Sequence, residues 1–179
     1  MKRKNKKKTG YVIWITGLSG SGKTEIAEKL KKKLKFILRP TIIISGDNLR
    51  KIFQLNGYTH QDRKKYIKQY SKFCKFLSDQ NINVVFAVVG LFDFIRNWNK
   101  KNLKKYIEIY IKSDLEKIIK FNRKKIYKIY KKNIVGKDIV AEFPKNPHII
   151  IENNFQTSLE NLTNNAFSKI VKIIKKSKY

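Results

Sequence analysis

Eight residues near the start of the chain, Gly17-Leu18-Ser19-Gly20-Ser21-Gly22-Lys23-Thr24, have the types and spacing needed to hold a triphosphate. Three glycines let a loop turn its backbone N–H groups onto phosphate oxygens, and a helix starting behind the loop adds further donors. The pattern is G-x-x-x-x-G-K-[ST], the P-loop. In such a loop Lys23 reaches the β- and γ-phosphates and the Thr24 hydroxyl ligates Mg²⁺. An ordinary glycine-rich turn is the competing reading. With glycine near ~7% of average sequence, a chance match in a chain this short is on the order of one in a hundred. The flanks lower that further: apolar Tyr11-Val12-Ile13-Trp14-Ile15 precedes the loop and an amphipathic helical pattern follows it. Binding of a nucleoside triphosphate is the expectation.

Two more segments carry suggestive chemistry. Ser45-Gly46-Asp47-Asn48-Leu49-Arg50 sets a carboxylate and a guanidinium three residues apart at a helix start. Taken alone, Asp47 reads as an N-cap. Beside a P-loop it is well placed to orient an attacking hydroxyl or to hold Mg²⁺ through water. Farther on, Lys117, Lys120, Arg123, Lys124, Lys125, Lys128, Lys131 and Lys132 crowd one helical stretch. A solvated face is the plain reading; a lid whose cations cover the transferring phosphate is the functional one, with Arg123 and Lys124 best placed.

These residues need a scaffold. Apolar runs at 11–16, 41–45, 83–89, 106–111 and 148–151 alternate with helical patterns at 22–35, 47–54, 60–80, 97–102, 114–131 and 157–175. Near-continuous apolar strands suit a parallel sheet covered on both faces. The expected fold is α/β: a three-layer P-loop NTPase fold with a five-stranded, mostly parallel sheet, helices on both faces and a basic lid. Ligands then sit over the carboxyl ends of the strands.

Composition bounds the rest. A chain of 179 residues makes one domain, expected at 10–179 behind a basic, disordered tail at 1–9. No apolar run of about 18 residues predicts a membrane span. The single Cys74 suits a reducing cytoplasm. A formal charge of +29 suggests nucleic acid, but 36 lysines against 6 arginines are spread through nearly every segment. No clustered Arg patch or aromatic platform marks a specific nucleic-acid reader. The charge serves instead to speed capture of anionic substrates.

The ordered set of motifs resembles adenylylsulfate kinase, the P-loop enzyme that phosphorylates the ribose 3′-hydroxyl of adenylyl sulfate. Gly17–Thr24 is similar to that family's G-L-S-G-x-G-K-[ST], and 45–50 to its D-G-D-N-x-R. Gly57-Tyr58-Thr59-His60-Gln61-Asp62-Arg63 resembles G-F-S-x-x-D-R, Lys124-Lys125-Ile126-Tyr127 resembles K-G-L-Y, and Gly136-Lys137-Asp138 with Glu142-Phe143-Pro144 resembles G-I-D-x-x-Y-E-x-P. The resemblance implies ATP as donor, Mg²⁺ as metal and a homodimer. It implies Asp47 as base or orienter, Lys124 at the lid, and Arg50 and Arg63 on the acceptor's anionic end. Tyr58 and Ile134 would flank the acceptor base.

The departures fall mostly on the acceptor side. Ser45 stands at the first Asp of D-G-D-N, Gly90 at the serine of F-I-S-P, and Tyr66 and Lys68 at an Asn and an Arg. Phe121 replaces an arginine upstream of the lid lysine, and Ile134 replaces an aromatic that sandwiches adenine. Losing one face of that clamp weakens stacking by ~1–2 kcal/mol. Adenylyl sulfate is the favoured acceptor. A related kinase of surface-polysaccharide pathways acts on cytidine diphosphoramidate, and a relaxed adenine clamp suits that acceptor as well. A regulatory ATP-binding module that has lost catalysis is the third reading.

Overall fold

The computed structural model describes residues 8–121 and 133–177. Five strands, β1 (Val12–Thr16), β2 (Thr41–Ser45), β3 (Asn83–Val88), β4 (Tyr106–Lys112) and β5 (Ile149–Glu152), form one sheet in the order β2-β3-β1-β4-β5. Every pairing is parallel. Six helices fall among the described residues: α1 (Lys23–Leu34), α2 (Gly46–Ile52), α3 (His60–Asp79), α4 (Asp93–Asn102), α5 (Leu115–Lys120) and α6 (Leu159–Lys176).

Strand alternation sorts the core. Ile13 and Ile15 of β1 join Ile26, Leu30 and Leu34 of α1 and Ala166 and Ile170 of α6 on one face. Val12 and Trp14 join Ile67, Tyr70 and Cys74 of α3 and Ile95 of α4 on the other. The result is the expected three layers. Cys74 is fully buried, and burial pushes its thiol pKa up.

Several expectations need adjustment. The helix expected at 97–102 begins at Asp93. The one expected at 114–131 is described only as Leu115–Lys120, and most of the basic lid, Arg123 and Lys124 included, lies outside the described residues. Of the tail placed at 1–9, residues 1–7 also lie outside, but Thr9 is buried and the Gly10 N–H donates to Ser78 O at 2.8 Å. Packing therefore begins by Thr9. Among the described residues no helix is long and apolar enough to cross a membrane.

Candidate active site

The P-loop joins the end of β1 to the start of α1. Gly22 is the N-cap of α1 with φ of 89°, a left-handed conformation that glycine adopts without a Cβ penalty. A second support comes from far along the chain. Asn153, just past β5, donates from Nδ2 to Ser21 O at 3.1 Å and is itself buried. Lys23 is buried too, and its Nζ donates to Leu18 O at 2.6 Å, folding the ammonium back over the loop. Thr24 follows, half-buried.

Ser45 ends β2 and is the N-cap of α2, its hydroxyl accepting from the Asn48 N–H at 3.1 Å. That corrects the cap reading of Asp47, which sits exposed in the first turn of the helix. The same bond explains how a serine serves at this position, because a hydroxyl caps a helix about as well as a carboxylate. The cap of α2 is thus supplied by Ser45 and not by the carboxylate of Asp47.

The α2–α3 connection is built around arginine. Arg50 donates from Nη1 to Leu55 O (2.8 Å) and Gly57 O (2.9 Å). Its guanidinium lies 4.3 Å from the Tyr58 ring centre and 5.1 Å from that of Tyr66. Thr59 and Asp62 form a reciprocal capping box: the Asp62 N–H reaches Thr59 Oγ1 and the Thr59 N–H reaches Asp62 Oδ2, both at 3.1 Å. The Thr59 hydroxyl also donates to Asp62 and lowers its pKa. This box starts α3 with Arg63 in its first turn. Arg63 donates from Nε to Tyr58 O (3.1 Å) and from Nη2 to Asn133 O (2.8 Å), tying α3 to the turn that begins at Asn133. Burial pulls the Arg63 pKa below its ordinary value, with Arg50 acting the same way and Tyr58 and Asp47 opposing.

That turn touches the phosphate loop as well. Gly136 has φ of 90°, and a Cβ there would fall 2.5 Å from a Leu18 methyl. Only glycine lets the two loops close so tightly.

One cavity of about 680 Å³, counting its open mouth, gathers most of these groups. Ser19, Lys23 and Thr24 line one end; Asp47, Arg50 and Arg63 line the other. Tyr66, Tyr70 and Phe92 contribute ring surface. Gly90 lines it too, and leaves no hydroxyl there. Tyr58, exposed at 40%, flanks the arginines outside this lining. In the segment of Ile134 the lining residue is Val135, while Ile134 is buried and its carbonyl accepts from three N–H groups that close the turn. Sequence reasoning missed Asn153, Tyr70 and Val135, and the Thr59–Asp62 pair was the one readable sign of where α3 begins.

No group of three or more His, Cys, Asp or Glu side chains among the described residues is arranged to hold a metal. The oxygen donors on the cavity wall, Thr24 and Asp47, suit Mg²⁺ shared with substrate phosphates, because that ion takes one or two protein oxygens and keeps waters.

Comparison with known proteins agrees with this architecture. Residues 9–152 match the adenylylsulphate kinase family. The chain is 39% identical to the cytidine diphosphoramidate kinase of Campylobacter jejuni, covering 95% of this chain and 98% of that one. It is 37% identical to the adenylyl-sulfate kinase of Clostridium acetobutylicum, covering 85% and 81%. The fold superposes on the APS kinase of Mycobacterium tuberculosis, solved with AMPPNP and APS, with a TM-score of 0.81 over 90% of this chain and 98% of that one, at 22% identity.

Proposed function

The chain belongs to the adenylylsulphate kinase family of phosphotransferases, and we propose that it moves the γ-phosphoryl group of ATP to the ribose 3′-hydroxyl of cytidine diphosphoramidate in the cytoplasm. One observation carries the choice of acceptor. Departures from the family pattern gather on the acceptor side, where Tyr66 and Tyr70 fill cavity wall, while the phosphate loop is intact. Near full-length similarity to the Campylobacter jejuni enzyme supports the same choice. This reverses the order of the two acceptors reached from sequence.

The chain's own groups divide the work. The P-loop N–H groups hold the triphosphate, and Lys23 moves from Leu18 O to compensate charge on the β- and γ-phosphates. Asp47 accepts a hydrogen bond from the attacking hydroxyl and takes its proton as the new P–O bond forms and the bond from the γ-phosphorus to the bridging oxygen of departing ADP breaks. Arg50 and Arg63 grip the anionic tail of the acceptor, each keeping part of its five-donor fork for the loop carbonyls that position it. Thr24, with Asp47 through water, would hold a magnesium ion bound with ATP, which would neutralise charge on the transferring phosphate.

Adenylyl sulfate is the second reading, supported by the retained Asp47, Arg50 and Arg63 and by the clostridial relative. A coupled ADP-release assay with Mg²⁺ and a panel of nucleotide acceptors tests the proposal. Acceptor-dependent ADP release with cytidine diphosphoramidate, abolished in Lys23→Ala, is expected. Absence of release with every nucleotide acceptor contradicts it.

A further inference from the structure

One wall of the cavity is α3, which presents Arg63, Tyr66 and Tyr70 to it. Their spacing keeps all three on one face of the helix. Two of them are engaged: Arg63 bonds two loop carbonyls, and Tyr66 Oη accepts from the Gly57 N–H at 3.3 Å. Tyr70 differs. Its side chain is only 5% exposed and its ring packs edge-on against Phe86, yet its hydroxyl is buried and makes no hydrogen bond. A phenylalanine would pack as well, and a buried hydroxyl without a partner is costly. Tyr70 also lies outside every motif that carries the family resemblance. Its oxygen needs another explanation.

The surroundings supply one. Burial raises the Tyr70 pKa, with Arg50 opposing and Tyr66 and Asp47 reinforcing, so the hydroxyl stays protonated among the groups that would hold the acceptor's tail. Arg50 and Arg63 offer donors only, which suit tail oxygens but cannot pair with an N–H. The Ser45 hydroxyl already accepts from the Asn48 N–H, and Asp47 is committed to the attacking hydroxyl. A phosphoramidate ends in a nitrogen whose N–H groups need an acceptor, and Tyr70 Oη has its lone pairs unused.

We propose that the Tyr70 hydroxyl accepts a hydrogen bond from the terminal amide of a nucleoside diphosphoramidate and so selects that acceptor over ones ending in oxygen alone. The proposal rests on the reading of this cavity as the acceptor site and adds the atom that recognises the amide.

Equilibrium binding to the full chain tests it, with the donor site filled by Mg²⁺ and a non-hydrolysable ATP analogue. The ligands are cytidine diphosphoramidate and CDP, which carries oxygen in place of the amide nitrogen. Tyr70→Phe keeps the ring and should weaken the diphosphoramidate about tenfold, because its N–H is left unpaired. CDP should weaken less than about threefold, since the arginines still serve its oxygens. The melting temperature should not fall, because the hydroxyl bonds nothing in the free protein. Equal loss of both ligands, unchanged affinity for the diphosphoramidate, or a clearly lower melting temperature overturns the proposal. Turnover of cytidine diphosphoramidate with affinity indifferent to Tyr70→Phe overturns this inference alone. A wild-type chain that neither binds nor phosphorylates cytidine diphosphoramidate overturns the proposed function, and this inference with it.

Discussion

The donor and acceptor ends of the cavity are built from different materials. At the donor end, Gly22, the helix N-terminus and the Asn153–Ser21 bond shape a loop whose binding groups are backbone N–H groups. Ser21 and Lys23 there are buried. At the proposed acceptor end the groups offered to a ligand are long side chains, Arg50 and Arg63, held over tyrosines by loop carbonyls and half-exposed. A backbone site tolerates change in its neighbours so long as its glycines remain. A side-chain site changes whenever a single residue does. On the proposed reading, that difference lets a chain keep phosphoryl-transfer chemistry while its acceptor shifts, and Ser45, Tyr66 and Gly90 all line the cavity that would take the acceptor.

The sharpest way to break the comparison is at the donor end. Lys23→Ala should cost roughly 3–5 kcal/mol of transition-state stabilisation, read as a fall in kcat/KM with an unchanged far-ultraviolet spectrum. Wild-type-like turnover would remove the donor site from the account. Next in size, Asp47→Asn should lower kcat by about 100-fold or more while ATP affinity is unaltered. Since Ser45 supplies the cap of α2, Asp47→Ala should keep that cap and lose kcat as Asp47→Asn does. A large drop in melting temperature for Asp47→Ala with retained kcat would make Asp47 structural.

At the acceptor end, Arg50→Lys removes a planar fork that bonds two carbonyls and lies over two rings. Acceptor KM should rise about tenfold with ATP KM unchanged, because a lysine cannot reproduce the fork. Equal increases in both constants would show that the two ends are not separable. Smallest of the set, Ser45→Ala should cost about 1 kcal/mol of stability through the lost cap and change kcat little. Urea unfolding alongside steady-state kinetics reads both.

The same division governs what was legible in the sequence. The P-loop and the five strands could be read because local spacing determines them: glycines at fixed intervals, and apolar runs that are buried on both faces in the central β1 and β3 and only partly so in the edge strands β2 and β5. Taken alone, Asp47 reads as a cap although the cap is Ser45, two residues away, because both types cap helices and only the backbone shows which one starts the turn. Val135 lines the cavity while its neighbour Ile134 does not, a one-residue distinction that spacing alone does not make in a turn. Asn153 could not be found from spacing, since its bond to Ser21 spans 132 residues. Tyr70 read as core periodicity in α3, and it is core, buried beside Phe86 at 5.9 Å between ring centres, yet it also lines the cavity.

Internal competition measures the central claim most directly. Cytidine diphosphoramidate and adenylyl sulfate at equal concentration, with ATP limiting, report the ratio of their kcat/KM values in one tube. A cytidine product in excess by about tenfold or more is predicted, equivalent to roughly 1.4 kcal/mol of discrimination at the acceptor end. A 3′-phosphorylated adenylyl sulfate in excess would contradict the account and return the acceptor site to the family's common substrate.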